Sequence, residues 1–310
     1  MEKLWSILTI IVPIAAAILV GVMARRRQIL TREGADGLQQ FAVRIALPCV
    51  LFNSCLTSSF QVETLTSMVL VWPLLLAGAL WAFRARRGTR FPYHNLPLFF
   101  AAQESGMLGI PLFLMLFGQE NVYRMATLDV AQILVAVPTI SILSMRAEEQ
   151  VSLKGIIRKI ITAPYLIAAL LGIALNLTGA KAWLDAVGVG PVLTETISFL
   201  GTPISAVILI CIGYNFSLGG AARRQLVAIS AIHFGLFACF AAAMQAVLFL
   251  LPGVSAETRW ALFLYCMLPP SFLAPGLGRR EEEYTVASGV CSLYTLVTLA
   301  IFCVMAVVVA

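Results

Sequence analysis

Charge is what this chain lacks most. Asp, Glu, Lys and Arg make up 12% of its 310 residues, against about 25% in soluble globular domains. So little charge cannot solvate an ordinary globular surface, and a disordered chain is excluded too, because disorder needs high charge with low hydrophobicity. Histidine is scarce: His94 and His233 are the two present, and neither has acidic or cysteine company at metal-ligand spacing. No metal and no cofactor is expected. The seven cysteines all fall in apolar stretches without metal spacing; they read as small buried apolar residues rather than the staples of a secreted fold. A Gly-x-x-x-x-Gly-Lys-Ser/Thr loop is missing, which with the lack of any soluble segment argues against an ATP-driven pump. Also missing are a His-Glu-x-x-His helix, a paired-carboxylate motif and a nucleophile with its base, so the chain does not read as an enzyme.

What the chain has is apolar length. It is 60% hydrophobic with a mean hydropathy of +0.94. A bilayer crossing takes about 20 apolar residues, so the chain has room for roughly ten such crossings. Seven windows carry no charge: Leu4–Ala24, Thr64–Phe83, Ile160–Ala180, Thr196–Ala222, Gln225–Ala256, Trp260–Gly278 and Tyr284–Ala310. Three more are interrupted by ionisable residues: Leu38–Leu56 by Arg44, Leu96–Phe117 by Glu104, and Val122–Met145 by Arg124 and Asp129. The expectation is an all-α integral membrane protein of ten transmembrane helices, because helices satisfy their own backbone groups in lipid. Leu4–Ala24 is longer than a signal-peptide core and is followed by Arg25, Arg26 and Arg27. It therefore reads as a retained span.

The cations set the orientation. Alternate loops carry Arg25–Arg27 and Arg32; Arg84, Arg86, Arg87 and Arg90; Arg146, Lys154, Arg158 and Lys159; Arg223 and Arg224; Arg279 and Arg280. The opposite loops hold only Lys3, Arg124, Lys181 and Arg259. The positive-inside rule puts the first set in the cytoplasm of a plasma or bacterial inner membrane, with both termini extracytoplasmic. The net charge of +6 is thereby a topology signal and not the mark of a nucleic-acid partner.

The chain also repeats itself. Pro13 to Gly21 reads PIAAAILVG and Pro164 to Gly172 reads PYLIAALLG, displaced by 151 residues. Leu38 with Pro48 is matched by Leu193 with Pro203, displaced by 155. Five helices in each half, residues 1–155 and 156–310, make the second copy enter from the opposite side: an inverted-topology repeat, a common transporter plan. That plan expects broken helices at matching places. Helix four carries Gln103-Glu104-Ser105-Gly106-Met-Leu-Gly109-Ile-Pro111, and helix nine carries Leu268-Pro269-Pro270-Ser271-Phe-Leu-Ala-Pro275-Gly276. Proline removes a backbone donor, so both helices are expected to unwind there. Two half-helix N-termini would then face a shared midplane cavity suited to an anion.

These residues carry a resemblance. Arg25-Arg26-Arg27-Gln-Ile-Leu-Thr-Arg-Glu, Gly37-Leu38, and Ala46-Leu47-Pro48-Cys-Val-Leu51-Phe52-Asn53 resemble the opening of the auxin efflux carrier family. Ser105-Gly106-Met-Leu-Gly109-Ile-Pro111 resembles its helix-four motif. Pro164 to Asn176, Ile212-Gly213, and Pro269 through Ala287-Ser288 are similar to its second half. The resemblance implies a scaffold of helices one, two, six and seven that often dimerises. It also implies a moving transport domain of helices three to five and eight to ten, and small carboxylate substrates such as malonate or malate. One departure is informative: members usually have Asn where this chain has Glu104.

Ionisable groups inside a span are functional candidates by default. Arg44 has three roles open to it: gripping a substrate carboxylate, neutralising Glu104 or Asp129, or snorkelling to the cytoplasmic interface. Glu104 is a candidate proton carrier, with a permanent ion pair to Arg44 as the plain alternative. Asp129 and Gln132 share a helix face at i, i+3, and Asp129 could couple an ion or simply pair with Arg124. The candidate site is thus Arg44, Asn53, Glu104, Ser105, Gly106, Gln132, Pro270 and Ser271, with Gly109, Pro111, Pro269, Pro270 and Pro275 as helix breakers. The reading is a secondary carrier of a small organic anion, with H+ or Na+ as the coupling ion and a homodimeric state. A receptor or channel-like sensor using the same cavity is the alternative.

Overall fold

A computed structural model describes residues 2–57, 62–144, 158, 162, 164–216, 223–251 and 253–309. Every regular element among them is helical, and the one β feature is an isolated bridge between Gln103 and Pro270. In chain order the helices are α1 (Glu2–Arg26), α2 (Arg32–Phe41), α3 (Leu47–Thr57), α4 (Val62–Ala85), α5 (Leu98–Ala101), α6 (Ile110–Phe117) and α7 (Val122–Ser144). There follow α8 (Pro164–Leu177), α9 (Ala180–Ala186), α10 (Val189–Gly201), α11 (Ile204–Asn215), α12 (Arg223–Leu250), α13 (Ala256–Cys266) and α14 (Glu281–Val309).

Among the described residues six stretches are long and apolar enough to cross a membrane: Arg32–Thr57, Thr66–Ala85, Gln119–Leu143, Val189–Asn215, Arg223–Leu250 and Glu281–Val309. The pair α8 and α9, bent by 75°, makes a seventh if it is one span. Two of these start earlier than hydropathy alone suggests. Helix two begins at Arg32 rather than Leu38, because Thr31 caps it: its Oγ1 accepts the Gly34 N–H at 3.1 Å. Capping lets a polar turn carrying Asp36 and Gln39 join an apolar helix. Helix seven begins at Val189, after Gly188 in a left-handed conformation (φ 77°). The expected loop cations Arg146, Lys154 and Lys159 lie outside the described residues.

Proline position explains the irregular turns. Pro48 has no N–H to offer the Arg44 carbonyl, and the turn just before it, Ala42–Ala46, is a π-turn in which the Leu47 N–H reaches back to Ala42. Pro111 does the same to Met107: Ser105–Gly109 is a π-turn, with the Ile110 N–H bonded to Ser105. Missing donors of this kind are a standard cause of local helix irregularity.

The tightest helix pairs are α1 with α11 and α3 with α8. Gly21 of α1 lies so close to α11 that a Cβ there would strike the Ile210 carbonyl, and Gly213 of α11 meets the Ile18 carbonyl in the same way. Gly172 of α8 sits on α3, where a Cβ would come within 2.6 Å of the Phe52 oxygen and 3.0 Å of Cys55 Cβ. Small residues at such crossings let backbones approach, the usual basis of helix association in lipid. The largest buried rings are Phe99, Phe100, Phe113, Tyr123, Phe237, Tyr265, Tyr294 and Phe302. The exterior is apolar, with Leu177, Trp183, Val192 and Phe199 all well exposed. That is the reverse of a water-soluble surface.

Candidate functional site

Two interrupted helices build the centre of the molecule. After α5 the chain is extended at Ala102 (φ −152°, ψ 136°) and becomes helical again at Ser105. After α13 it runs from Met267 to Ala274 without regular helix and makes only a short 3-10 turn at Pro275–Leu277. The expectation of breaks at both sites is met, but that of two half-helix N-termini is not. Among the described residues the segment between the break and Glu281 forms no α-helix. Pro269, Pro270 and Pro275 within seven residues leave too few donors for one.

The two unwound segments satisfy each other. The Glu104 N–H donates to the Pro269 carbonyl (2.8 Å) and the Ser271 N–H to the Ala102 carbonyl (3.1 Å), forming the antiparallel bridge of Gln103 and Pro270. Carbonyls left over from the second break are taken by side chains: Thr298 Oγ1 donates to Met267 O (2.5 Å) and Asn95 Nδ2 to Ala274 O (2.8 Å). Unwound backbone at this depth is tolerated only when its polar groups are paired or line a cavity.

Gln132 on α7 locks the crossing. Its Oε1 accepts from the Gln103 N–H (2.8 Å) and the Tyr265 hydroxyl (2.9 Å). Its Nε2 donates to Gln103 O (3.1 Å), Ser105 Oγ (2.7 Å) and Asp129 Oδ1 (2.8 Å). The Ser105 hydroxyl donates to Asp129 Oδ1 at 2.5 Å, and the Gly106 N–H also serves that carboxylate. Glu104 accepts from the Phe272 N–H at 2.6 Å and from the Met107 N–H. Both acids are thus held by donors from the broken helices.

A cavity of about 560 Å³ opens beside this crossing. Of the sequence-predicted site residues, Arg44, Glu104, Gly106, Asp129, Gln132 and Ser271 line it. Ser105 is fully buried behind it, and Pro270 is in the backbone bridge. Gly109 and Pro111 pack within the helix-four segment, where a Cβ on Gly109 would lie 2.6 Å from Leu268 Cδ1. Asn53 is elsewhere: buried on α3, it donates to Ser198 Oγ of α10 at 2.8 Å. Arg44 sits in the π-turn of helix two, and among the described residues no ion pair joins it to Glu104 or Asp129. Asp129 faces Ser105 and Gln132 rather than Arg124, whose guanidinium bonds Asn121 Oδ1 and the Thr258 hydroxyl.

Sequence reasoning did not assign Asp36, Gln39, Gln103 and Tyr165, all of which line the cavity. Asp36 and Gln39 would have been found by extending helix two back to its Thr31 cap. Gln103 was in the helix-four motif but had no charge to draw attention. The cavity shares Asp36, Gln39, Met107 and Phe272 with a neighbouring chamber, which shares Asn215, Tyr284 and Ser288 with an opening flanked by Arg25 and Arg32.

From residue 6 to residue 309 the sequence matches a family described as "Membrane transport protein". No curated protein matches the chain.

Proposed function

The chain belongs to this membrane transport protein family, that of the auxin efflux carriers, and from that premise we propose that it is a secondary active transporter of a small organic carboxylate working by alternating access. The observation that carries the reading is the crossing of two broken helices beside a cavity that holds both an exposed Arg44 and the acids Glu104 and Asp129. Unwound helices at a midplane cavity are the binding sites of transporters built from inverted repeats. Arg44 provides the carboxylate grip, its fork being suited to bidentate pairing.

Ten spans in two inverted halves are part of this proposal, and the glycine contacts support it. Gly21 and Gly172 are equivalent at a displacement of 151, and Ile210 and Cys55 at 155. Gly21 meets Ile210, and Gly172 meets Cys55. One contact is therefore the repeat-swapped copy of the other, as a two-fold relation between the halves requires. Gly201 and Ala46, also equivalent at 155, approach each other, a Cβ on Gly201 lying 3.7 Å from the Ala46 oxygen. The α1–α11 and α3–α8 pairs then form the scaffold, and its exposed apolar side serves a homodimer. Both termini are extracytoplasmic, in a plasma or inner membrane.

Glu104 is the proposed coupling group, taking a proton on one side of the membrane and releasing it on the other. Labelled carboxylate uptake into proteoliposomes, with and without a pH gradient, tests the reading. Accumulation driven by the gradient is expected in the wild type, and in Glu104→Gln the gradient should no longer matter. A sodium gradient run in parallel identifies the other candidate ion. Failure of every carboxylate to accumulate under either gradient would falsify the reading.

A further inference from the structure

The anion-seeking end of the crossing is already occupied, and by the protein itself. A helix N-terminus attracts anions because its first N–H groups lack partners within the helix. Here the Gly106 N–H serves Asp129 and the Met107 N–H serves Glu104. From the second break the Phe272 N–H reaches Glu104 (2.6 Å) and the Leu273 N–H reaches Ser271 Oγ (3.3 Å). A substrate carboxylate arriving there finds the donors taken and two acidic side chains, Glu104 and Asp129, in its place. Asp36 adds a third acid to the lining, in which Arg44 is the one cation among the described residues. Another anion with no positive group of its own would deepen this imbalance.

We propose that the substrate is an apolar α-amino acid in its zwitterionic form, with its ammonium held by Glu104 and Asp129 and its carboxylate by Arg44. The proposal rests on the carboxylate-transport reading and narrows it. The acids have capacity to spare: an ionised carboxylate accepts about four hydrogen bonds, and the donors named above leave positions open on both. An ammonium supplies three donors and no acceptor, which suits two neighbouring carboxylates. Gln103 points the same way. It lines the cavity at 2% exposure, and neither Oε1 nor Nε2 has a partner among the described residues. Buried amides are normally satisfied, and a ligand presenting both a donor and an acceptor would satisfy this one. Part of the remaining wall is aliphatic, from Val43, Leu47, Ile133, Ala136, Val137 and Ile140, alongside the rings of Tyr165 and Phe272 and the amides of Gln39 and Gln40. The aliphatic part suits a hydrocarbon side chain, and about 560 Å³ is the volume of an ordinary small-molecule site.

The test compares labelled leucine with 2-hydroxy-4-methylpentanoate, which keeps the skeleton and carboxylate but has a hydroxyl for the ammonium, in wild-type proteoliposomes. Malate and isopentylamine complete the set. Leucine should accumulate roughly tenfold faster or more, since a site built to bond a polar group rejects the analogue lacking it. Thermal protection of the detergent-solubilised wild type should follow the same order, so the result does not depend on any variant folding. Glu104→Gln should narrow the preference for leucine over the hydroxy acid. Uptake of the hydroxy acid or malate with none of leucine overturns the ammonium site and leaves the carboxylate reading intact. Uptake of isopentylamine as fast as leucine overturns the Arg44 assignment and with it the zwitterion. Uptake of none of the carboxylates sinks the parent reading and this one together.

Discussion

Gln132 shows how one uncharged side chain can organise a membrane site. Five hydrogen bonds tie it to Gln103, Ser105, Asp129 and Tyr265, and two of them satisfy the backbone of the unwound segment. Gln132→Leu keeps the volume but strands the Gln103 N–H and carbonyl. It should cost about 3 kcal/mol, read as a lower thermal midpoint in detergent, and abolish transport. Polarity inside an apolar stretch made this residue, Glu104 and Asp129 legible in the sequence, because buried polar groups must find partners. The same signal picked Asn53, which the fold uses to join α3 to α10 through Ser198. Sequence polarity says that a partner exists and cannot say which.

At the scale of elements, prolines and glycines were read correctly as markers but not for their full geometry. Pro48 and Pro111 each sit two residues beyond a π-turn, and the first of these turns carries Arg44. Pro48→Ala would restore a donor to the Arg44 carbonyl and allow a regular helix. Removing a one-residue bulge turns the preceding residues by about 100°, carrying Arg44 away from the cavity. The expected result is a KM raised roughly tenfold, the ~1.4 kcal/mol scale of a lost charge-assisted contact, with the thermal midpoint unchanged or higher. The glycines make a paired prediction. Gly21→Leu and Gly172→Leu should each destabilise by about 1–3 kcal/mol through overpacking, because a Cβ at either would strike the backbone of the facing helix. Gly37→Ala, where a Cβ meets nothing within 4 Å, should instead gain up to about 1 kcal/mol of helix propensity. Thermal unfolding of the three variants side by side checks both.

For the whole molecule, the linked chambers define which way the site opens. They run from the crossing past Met107 and Phe272 to Asn215, Tyr284 and Ser288, and end beside Arg25 and Arg32. On the far side, Gln119 Nε2 donates to the Val50 carbonyl at 3.0 Å and Asn176 Nδ2 to the Cys55 carbonyl at 3.0 Å, drawing the outer ends together. In the orientation proposed above, with the arginine-rich loops in the cytoplasm, this is an inward-open arrangement. Ser288→Cys should therefore react with a membrane-impermeant maleimide from the cytoplasmic side, above the background of the parent protein. Substrate should slow the reaction. Equal labelling from the outer side would contradict the orientation.

Composition and pattern by themselves determined that the chain is helical and apolar, where its breakers lie, and which few ionisable residues sit inside the spans. Each of those follows from local rules: hydrocarbon length, a missing N–H, the cost of a buried charge. Only the tertiary structure decided that the two breaks pair backbone to backbone, that Glu104 and Asp129 take up the donors of the first half-helix, and that Arg44 faces the cavity without an ion pair to either acid. Those are contacts between residues as far apart as Glu104 and Phe272. No local propensity encodes them, because each partner is chosen by which helices pack side by side.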